Sequence, residues 1–380
     1  MNNTIDLSIY RCSYWKERLY CMAKNFNLLF SIDIQDGTVD LIDAIPQEDI
    51  LSAVICGHIT AQNNKLILTP HITKKIWIYD LISKHWDGIA IKESNNLYGS
   101  GGFFQTYMYQ DCLFLIGGGY PAILCLNLKN YSCDYIEGPY QDMLTRHPDP
   151  DFFYFRTQGV QLDNSLFLAS CLDNNILKFD LATRTYHWIK VGSDDSVFSE
   201  IAWDGSSFWL SPRLNCDIVK WDGKDKTKTL SLPSELKPSL NTYAWTTCYD
   251  GNHMIFPCVS HPKSIKINIQ KDSYEIFDQQ YILYTRLDNG MIVSQTTDGN
   301  LSVQNGESVQ TYKLTVDTDQ LNEFYEKKNL PVYKGQTLYH EGAKNSISSL
   351  ESFLALTKAA SERRPAAEGP IGKAIWEAIR

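Results

Sequence analysis

Seven residues able to form hydrogen bonds recur at near-constant spacing along this chain: Arg11, His58, Gln105, Gln158, Glu200, Thr246 and Tyr284. Each stands eight positions before the first apolar residue of a strand-like run, at Leu19, Leu66, Leu113, Leu166, Phe208, Met254 and Ile292. The steps between them are 47, 47, 53, 42, 46 and 38 residues. The column two residues earlier (Ile9, Cys56, Phe103, Arg156, Phe198, Ala244, Ile282) is mostly apolar. The polar column therefore belongs to one structural position seen seven times. The planar fork of Arg11 suits a carboxylate or a phosphate. Glu200, His58 and Tyr284 can exchange protons, so they are the candidates for acid–base chemistry if the chain is an enzyme. Two readings stand side by side. A ring of polar side chains in a wet channel needs no ligand, because water satisfies it. The mixture of Arg, Glu, His and Tyr with amides favours a ligand, since a merely wetted ring needs only Ser, Thr and Asn.

A second anchor gives the same period. Asp33, Asp80, Asn127, Asp180, Asp222, Asn268 and Asn305 end apolar runs such as LFSID, IWIYD and LKFD, in steps of 47, 47, 53, 42, 46 and 37 residues. Asp and Asn fit there because their side chains close a turn on the backbone two residues on. Each unit carries four strand-like runs, with hairpin signals such as Asn63-Asn64, Asp204-Gly205 and Asp250-Gly251. No helical pattern interrupts residues 8 to 316. Seven such units predict an all-β fold, a seven-bladed propeller of four-stranded antiparallel blades lined by the polar column. A six-bladed ring with extra strands would move Tyr284 out of that column.

The third unit, DCLFLIGGGYPAILCLNLKNYSCDYIEGP, resembles a kelch repeat: an apolar second strand ends in Gly117–Gly119 and an aromatic strand returns. Trp86 and Trp188 resemble the Trp of kelch units. The resemblance implies a propeller over about four-fifths of the chain. Kelch-like propellers are mostly interaction modules, with a few oxidases among them.

The longest insertion, Tyr140–Phe155, is predicted to be a rim loop that helps to hold a ligand on the face where the inner strands begin. Its His147, Asp149 and Asp151 are too weak a set to predict a metal. Tyr120, Asp173, Arg213 and His261 are placed on the same rim. Walker loops, G-x-S-x-G and H-E-x-x-H are absent. Gly99–Gly102 leads into a strand, so it is no phosphate loop.

The net charge of −9, with no basic block, argues against nucleic acid and an anionic membrane surface as the main partner. The start MNNTIDLSIYRC has no signal-peptide pattern. Ten scattered cysteines without a C-x-x-C pair read as reduced thiols of a cytoplasmic protein.

The propeller is assigned to residues 1–316, a closing or connecting segment to 317–342 and an amphipathic helical tail to 343–380. A short helix is predicted over Thr318–Asn329, capped by Thr or Asp. In the last ten residues Ile371, Ile375, Trp376 and Ile379 form an apolar stripe suited to a partner's groove, although the tail packing on its own propeller is equally open. The expected function is non-enzymatic binding or scaffolding. A polar small molecule, peptide or glycan would sit at the rim and channel, the tail would recruit a protein, and no cofactor is required. The alternative is a hydrolase or lyase acting in the same channel.

Overall fold

The polar turn residues of the sequence sit where each blade reverses. In the computed structural model Asp33, Asp80, Asn127, Asp180, Asn268 and Asn305 end third strands, and Asp222 follows one directly. In the first six of the seven, Asp33 to Asn268, the carboxylate or amide oxygen accepts the backbone N–H two residues on, from Gln35, Ile82, Lys129, Ala182, Lys224 and Gln270 at 2.8–3.1 Å. The structure describes residues 4–50, 52–95, 97–98, 101–150, 152–213, 216–225, 227–236, 247–257 and 262–330.

Seven four-stranded antiparallel sheets follow one another in the ring, each built from consecutive strands. Blades 1 to 7 begin with the inner strands Ile9–Trp15, Cys56–Gln62, Phe103–Tyr109, Val160–Leu162, Phe198–Trp203, Cys248–Tyr249 and Tyr281–Arg286. The middle strands are buried on both faces because blades pack against each other on both sides, as in Leu66–Pro70 and Ile123–Leu126. The outer strands are largely exposed, as in Thr227–Leu230 and Ser308–Lys313. The core is therefore a set of wedges between neighbouring blades, filled by large rings such as Trp209, Trp221, Phe114 and Phe179.

Each blade is complete within its own stretch of chain, so the ring closes by other means. Thr4–Asp6 pairs antiparallel with Thr315–Asp317 in a two-stranded clasp outside the blades. Gln295, on the second strand of blade 7, adds a polar latch. Its amide oxygen accepts the Ile9 N–H at 2.7 Å and its amide nitrogen donates to the Leu7 carbonyl at 2.7 Å. The predicted helix follows, Thr318–Lys327, capped by Asp317, whose side chain accepts from Asp319 N and Gln320 N. Its Leu321 and Tyr325 are fully buried in the core shared by blades 1 and 7, and Tyr325 Oη donates to the Asn27 carbonyl at 3.1 Å. The residues from 331 onward, including Ile371, Ile375, Trp376 and Ile379, lie outside the described residues.

The Tyr140–Phe155 stretch differs from the expected loop. Residues Gly138–Arg146 form a helix between blades 3 and 4. Pro139 sits at its start, where the missing N–H removes no helical bond. Tyr140 and Met143, three residues apart, share the buried face. Together with Tyr154 and Phe155 they fill the wedge between the two blades. The insertion is a structural filler over much of its length, and the reading of residues 8 to 316 as free of helix missed it. Among the described residues no helix is long and apolar enough to cross a membrane.

The latch makes a quantitative expectation. Gln295→Leu leaves the Ile9 N–H and the Leu7 carbonyl buried without partners, at about 1–3 kcal/mol for each group. Urea unfolding should show a loss of roughly 2–4 kcal/mol. A loss under about 0.5 kcal/mol would mean that the clasp and helix close the ring without it.

Candidate functional site

The inner strand of a propeller blade is a sheet edge, and its outward N–H and C=O groups lie near the axis, where they need partners. Neighbouring blades supply them through side chains. Arg11 Nε donates to the Gly57 carbonyl of blade 2 at 2.9 Å. Thr69 Oγ1 of blade 2 donates to the Phe103 carbonyl of blade 3 at 2.6 Å. Gln105 Nε2 of blade 3 donates to the Arg156 carbonyl, before blade 4, at 2.9 Å. Ser13 Oγ accepts the Ala61 N–H, Tyr107 Oη accepts the Gly159 N–H, and Glu200 Oε2 accepts the Thr247 N–H at 2.8 Å. Gln295 makes the same kind of bond from blade 7 to blade 1. The donors and acceptors come from three places: the predicted ring position (Arg11, Gln105, Glu200), the position two residues beyond it (Ser13, Tyr107), and the cross-strand partner on the second strand, where Thr69 faces His58 and Gln295 faces Leu283.

A local device aims the ring. In blades 1, 2, 3, 5 and 7 the register shifts one residue before this position, between Ile9 and Arg11, Cys56 and His58, Phe103 and Gln105, Phe198 and Glu200, and Tyr281 and Leu283. Such a bulge sharpens the twist and redirects the side chains after it. Gly57 lies in one bulge, and a Cβ there would come within 2.0 Å of the Phe103 carbonyl oxygen. Only glycine allows blades 2 and 3 to approach so closely.

Arg11, His58, Gln105 and Gln158 line one cavity of about 410 Å³. It extends from the ring to the turns between first and second strands, where Tyr14, Trp15, Leu287 and Asp288 form the mouth. Glu200 is fully buried beside it, bonded to Thr157 and Thr247. Thr246 lies outside the described residues. Tyr284 is displaced. The connection from Arg286 to Ile292 is one residue longer than in the other blades, and a one-residue slip turns a strand's side chains to the opposite face. Leu283 takes the ring position and lines the cavity, whereas Tyr284 packs edge-on against Tyr281 at 5.0 Å. Sequence reading also passed over Thr60, Thr106 and Thr285. The alternation two residues beyond the ring, through Ser13, Thr60 and Tyr107, carried that signal.

On the other side of the ring lies an aromatic cluster. Tyr98, Phe104, Phe152, Phe153 and His71 form a chain of ring contacts at 4.9–6.3 Å. Arg213 donates to the Cys171 carbonyl and covers Phe152 at 4.1 Å. Tyr120 is buried and stacks on Phe103. Asp173 pairs with Arg146 at 2.8 Å and His147 at 3.3 Å, so His147 faces an ion pair. Asp151 and His261 lie outside the described residues, and among the described residues no three metal-ligating side chains converge. The cavity thus lies on the turn side of the ring, away from the rim where a ligand was expected.

Burial sets the protonation states. Desolvation, opposed by bonds from Thr157 and Thr247 and by the charges of Arg156 and Arg11, pushes Glu200 up to about 8. Desolvation, and after it the Arg11 charge, pushes His58 down to about 3. At neutral pH both are uncharged. The His58 ring packs its Nδ1 3.2 Å from Thr106 Oγ1, which in turn bonds Thr60 Oγ1 at 2.6 Å.

No family model matches the chain, and no curated protein matches it. Solved structures do. Virginiamycin B lyase from Staphylococcus aureus is similar with a TM-score of 0.58 at 11% identity, over 77% of this chain and 94% of that one. BamB from Moraxella catarrhalis gives 0.52 at 13%, over 78% and 83%. PorZ from Porphyromonas gingivalis, a surface component of the type-IX secretion system, gives 0.53 at 10%, over 83% and 39%. At these identities the likeness shows the seven-bladed fold and leaves the activity open. The glycines that carry the kelch resemblance have a local reason. A Cβ on Gly117, Gly118 or Gly119 would meet the Tyr120 carbonyl, the Phe104 ring or the Tyr98 carbonyl within 2.2 Å.

The raised Glu200 fixes a pH dependence. The folded state keeps its proton between pH 4.5 and about 8, where an unfolded glutamate has lost it. Stability contributed by this group is full below pH 4.5, falls as pH climbs to about 8 and levels off beyond. The slope is at most about 1.4 kcal/mol per pH unit. Glu200→Gln is neutral throughout. Unfolding free energies from pH 5 to 9 should therefore show wild type losing stability relative to E200Q. Parallel curves would contradict the buried, proton-bearing carboxyl.

Proposed function

We propose that this propeller is a non-enzymatic binding module that holds a small polar ligand in its channel, entered from the turn side. The observation that carries the reading is the cavity itself. Its volume of about 410 Å³ falls within the range of ligand pockets, about 300–1,000 Å³. Its walls mix hydroxyls and amides with the aromatic rings of Tyr14 and Trp15.

The acid–base groups of the rival reading, a hydrolase or lyase, are poorly arranged to support it. A general base works best with a pKa near the operating pH. His58 is pushed far below that, Glu200 is locked between Thr157 and Thr247, and Tyr284 faces away from the cavity. The likeness to virginiamycin B lyase is the feature in favour of that rival.

Recruitment of a protein partner through Ile371, Ile375, Trp376 and Ile379 forms the second half of the proposal. Its support is the apolar spacing of those residues, the interaction role implied by the kelch resemblance, and PorZ as a propeller within a secretion system. The buried, unpaired thiols, with Cys56 and Cys171 pushed up to about 12 by desolvation, fit a reducing compartment such as the cytoplasm.

A thermal-shift screen against polar small molecules, short peptides and oligosaccharides tests the channel. Thr285→Trp fills the cavity from a half-buried wall position. Ligands should raise Tm of the wild type by several degrees and leave T285W unmoved. Ligands that stabilise both proteins equally would place binding elsewhere, and turnover of a ligand in solution would favour the enzyme.

A further inference from the structure

Two cysteines of blade 1 stand face to face. Cys12 on its first strand is the register partner of Cys21 on its second. The hairpin that joins the strands fixes what kind of pair this is. Its two-residue turn, Lys16-Glu17, has positive φ at both positions, 46° and 66°, and closes on the pair Trp15 and Arg18, which such a turn makes a hydrogen-bonded one. Hydrogen-bonded and non-hydrogen-bonded pairs alternate from there, so Cys12 and Cys21, three pairs on, are non-hydrogen-bonded. The Cα atoms of such a pair lie about 4.5 Å apart with the side chains close, within the range of about 4.4–6.8 Å that a disulfide spans. The two thiols hydrogen-bond each other and are buried in the core shared by blades 1 and 7.

A second thiol contact shows what register excludes. Cys112 and Cys125 of blade 3 also touch, yet Cys112 faces Asn127 and Cys125 faces Phe114. They are diagonal neighbours about 7–8 Å apart, too far for a disulfide without backbone movement. Among the described strands no other two cysteines are register partners.

We propose that Cys12 and Cys21 are a reversible dithiol–disulfide site, oxidised by a small hydroperoxide that enters the cavity. Cys12 belongs to the cavity wall and is 7% exposed, whereas Cys21 is fully buried, so Cys12 reacts first. Its sulfur attacks one peroxide oxygen, the O–O bond breaks, and a sulfenic acid and one water form. The Cys21 sulfur then attacks Cys12 Sγ. The S–O bond breaks, the oxygen leaves as a second water with the Cys21 proton, and the S–S bond forms. Two thiols lose two electrons and one hydrogen peroxide becomes two waters. Burial pushes the Cys21 thiol well above its usual range, which keeps it from reacting with peroxide on its own account. The bridge lies between Arg11 and Ser13, the residues that bond blade 1 to Gly57 and Ala61 of blade 2, so oxidation cross-links the strands at that wall of the cavity.

The test treats the fully reduced chain with graded hydrogen peroxide at pH 7.5 under native conditions, blocks the remaining thiols and maps the protein by mass spectrometry without reduction. The expected product is a Cys12–Cys21 crosslink with a loss of about 2 Da for the two thiol hydrogens, and dithiothreitol should reverse it. It should exceed any Cys112–Cys125 crosslink at least fivefold. Oxidation should raise Tm by several degrees. In Cys21→Ala the reaction should stop at a sulfenic acid on Cys12, trapped by dimedone, and in Cys12→Ala dimedone should not label Cys21. The wild-type map decides the site by itself if either variant fails to fold. Recovery of Cys12 and Cys21 as thiols at every dose, or at doses that oxidise other cysteines, overturns the proposal. A Cys112–Cys125 crosslink in preference to Cys12–Cys21 overturns the argument from register, and dimedone on Cys21 of C12A overturns the order of the two steps.

Discussion

Seven sheet edges converge near one axis, and their backbone N–H and C=O groups have to be satisfied there. An unpaired buried backbone group costs about 1–3 kcal/mol, and every inner strand presents several. The answer in this molecule is a belt of side chains, each reaching from one blade to the backbone of the next: Arg11 to Gly57, Thr69 to Phe103, Gln105 to Arg156, Glu200 to Thr247 and Gln295 to Leu7 and Ile9. The belt explains why the ring is polar and why it is chemically mixed. Each member answers a particular donor or acceptor, so a carbonyl draws an Arg or a Gln and an N–H draws a carboxyl oxygen.

The same constraint shapes the cavity. Side chains committed to the belt cannot also bind a ligand, and most are committed. What is left over is specific: a pair of threonine hydroxyls beside a neutral His58, and an aromatic mouth. On the other side of the ring Tyr98, Phe104 and Phe153 pack against one another. Ring closure contributes as well, since the clasp of Thr4–Asp6 with Thr315–Asp317 holds blades 1 and 7 in the register that forms the cavity wall.

Much of this was legible in the sequence, and the misses have physical reasons. The seven-fold spacing of Asp and Asn turns fixed blade number because an Asx turn is a local interaction that a side chain and three residues of backbone determine by themselves. Arg11, His58, Gln105 and Gln158 come to line one cavity because blades 1 to 4 keep one hairpin geometry. Tyr284 was misplaced because the Asp288-Asn289-Gly290 connection adds a residue, and strand alternation converts one residue into a reversal of face. Gln295 was invisible because its role is to bond backbone nearly 300 positions away. The helix at Gly138–Arg146 is short, and its Tyr140 and Met143 show their purpose only against the neighbouring blade. The side of the ring on which the cavity lies could not be read, since it depends on contacts between blades, such as those of Phe152 and Phe153 with Tyr98, Phe104 and Arg213.

Residue-resolved native-state hydrogen exchange is the most direct test of the belt. The amides of Ile9, Gly159 and Thr247 lie at the start of inner edge strands or one residue before them, and each donates to a side chain of the preceding blade. If the belt governs the fold, they exchange only through global unfolding, far more slowly than the amides of outer strands such as Tyr274 and Val309. Exchange of the inner amides as fast as those outer edges would contradict it, and the polar ring would then be no more than the lining of a wet channel.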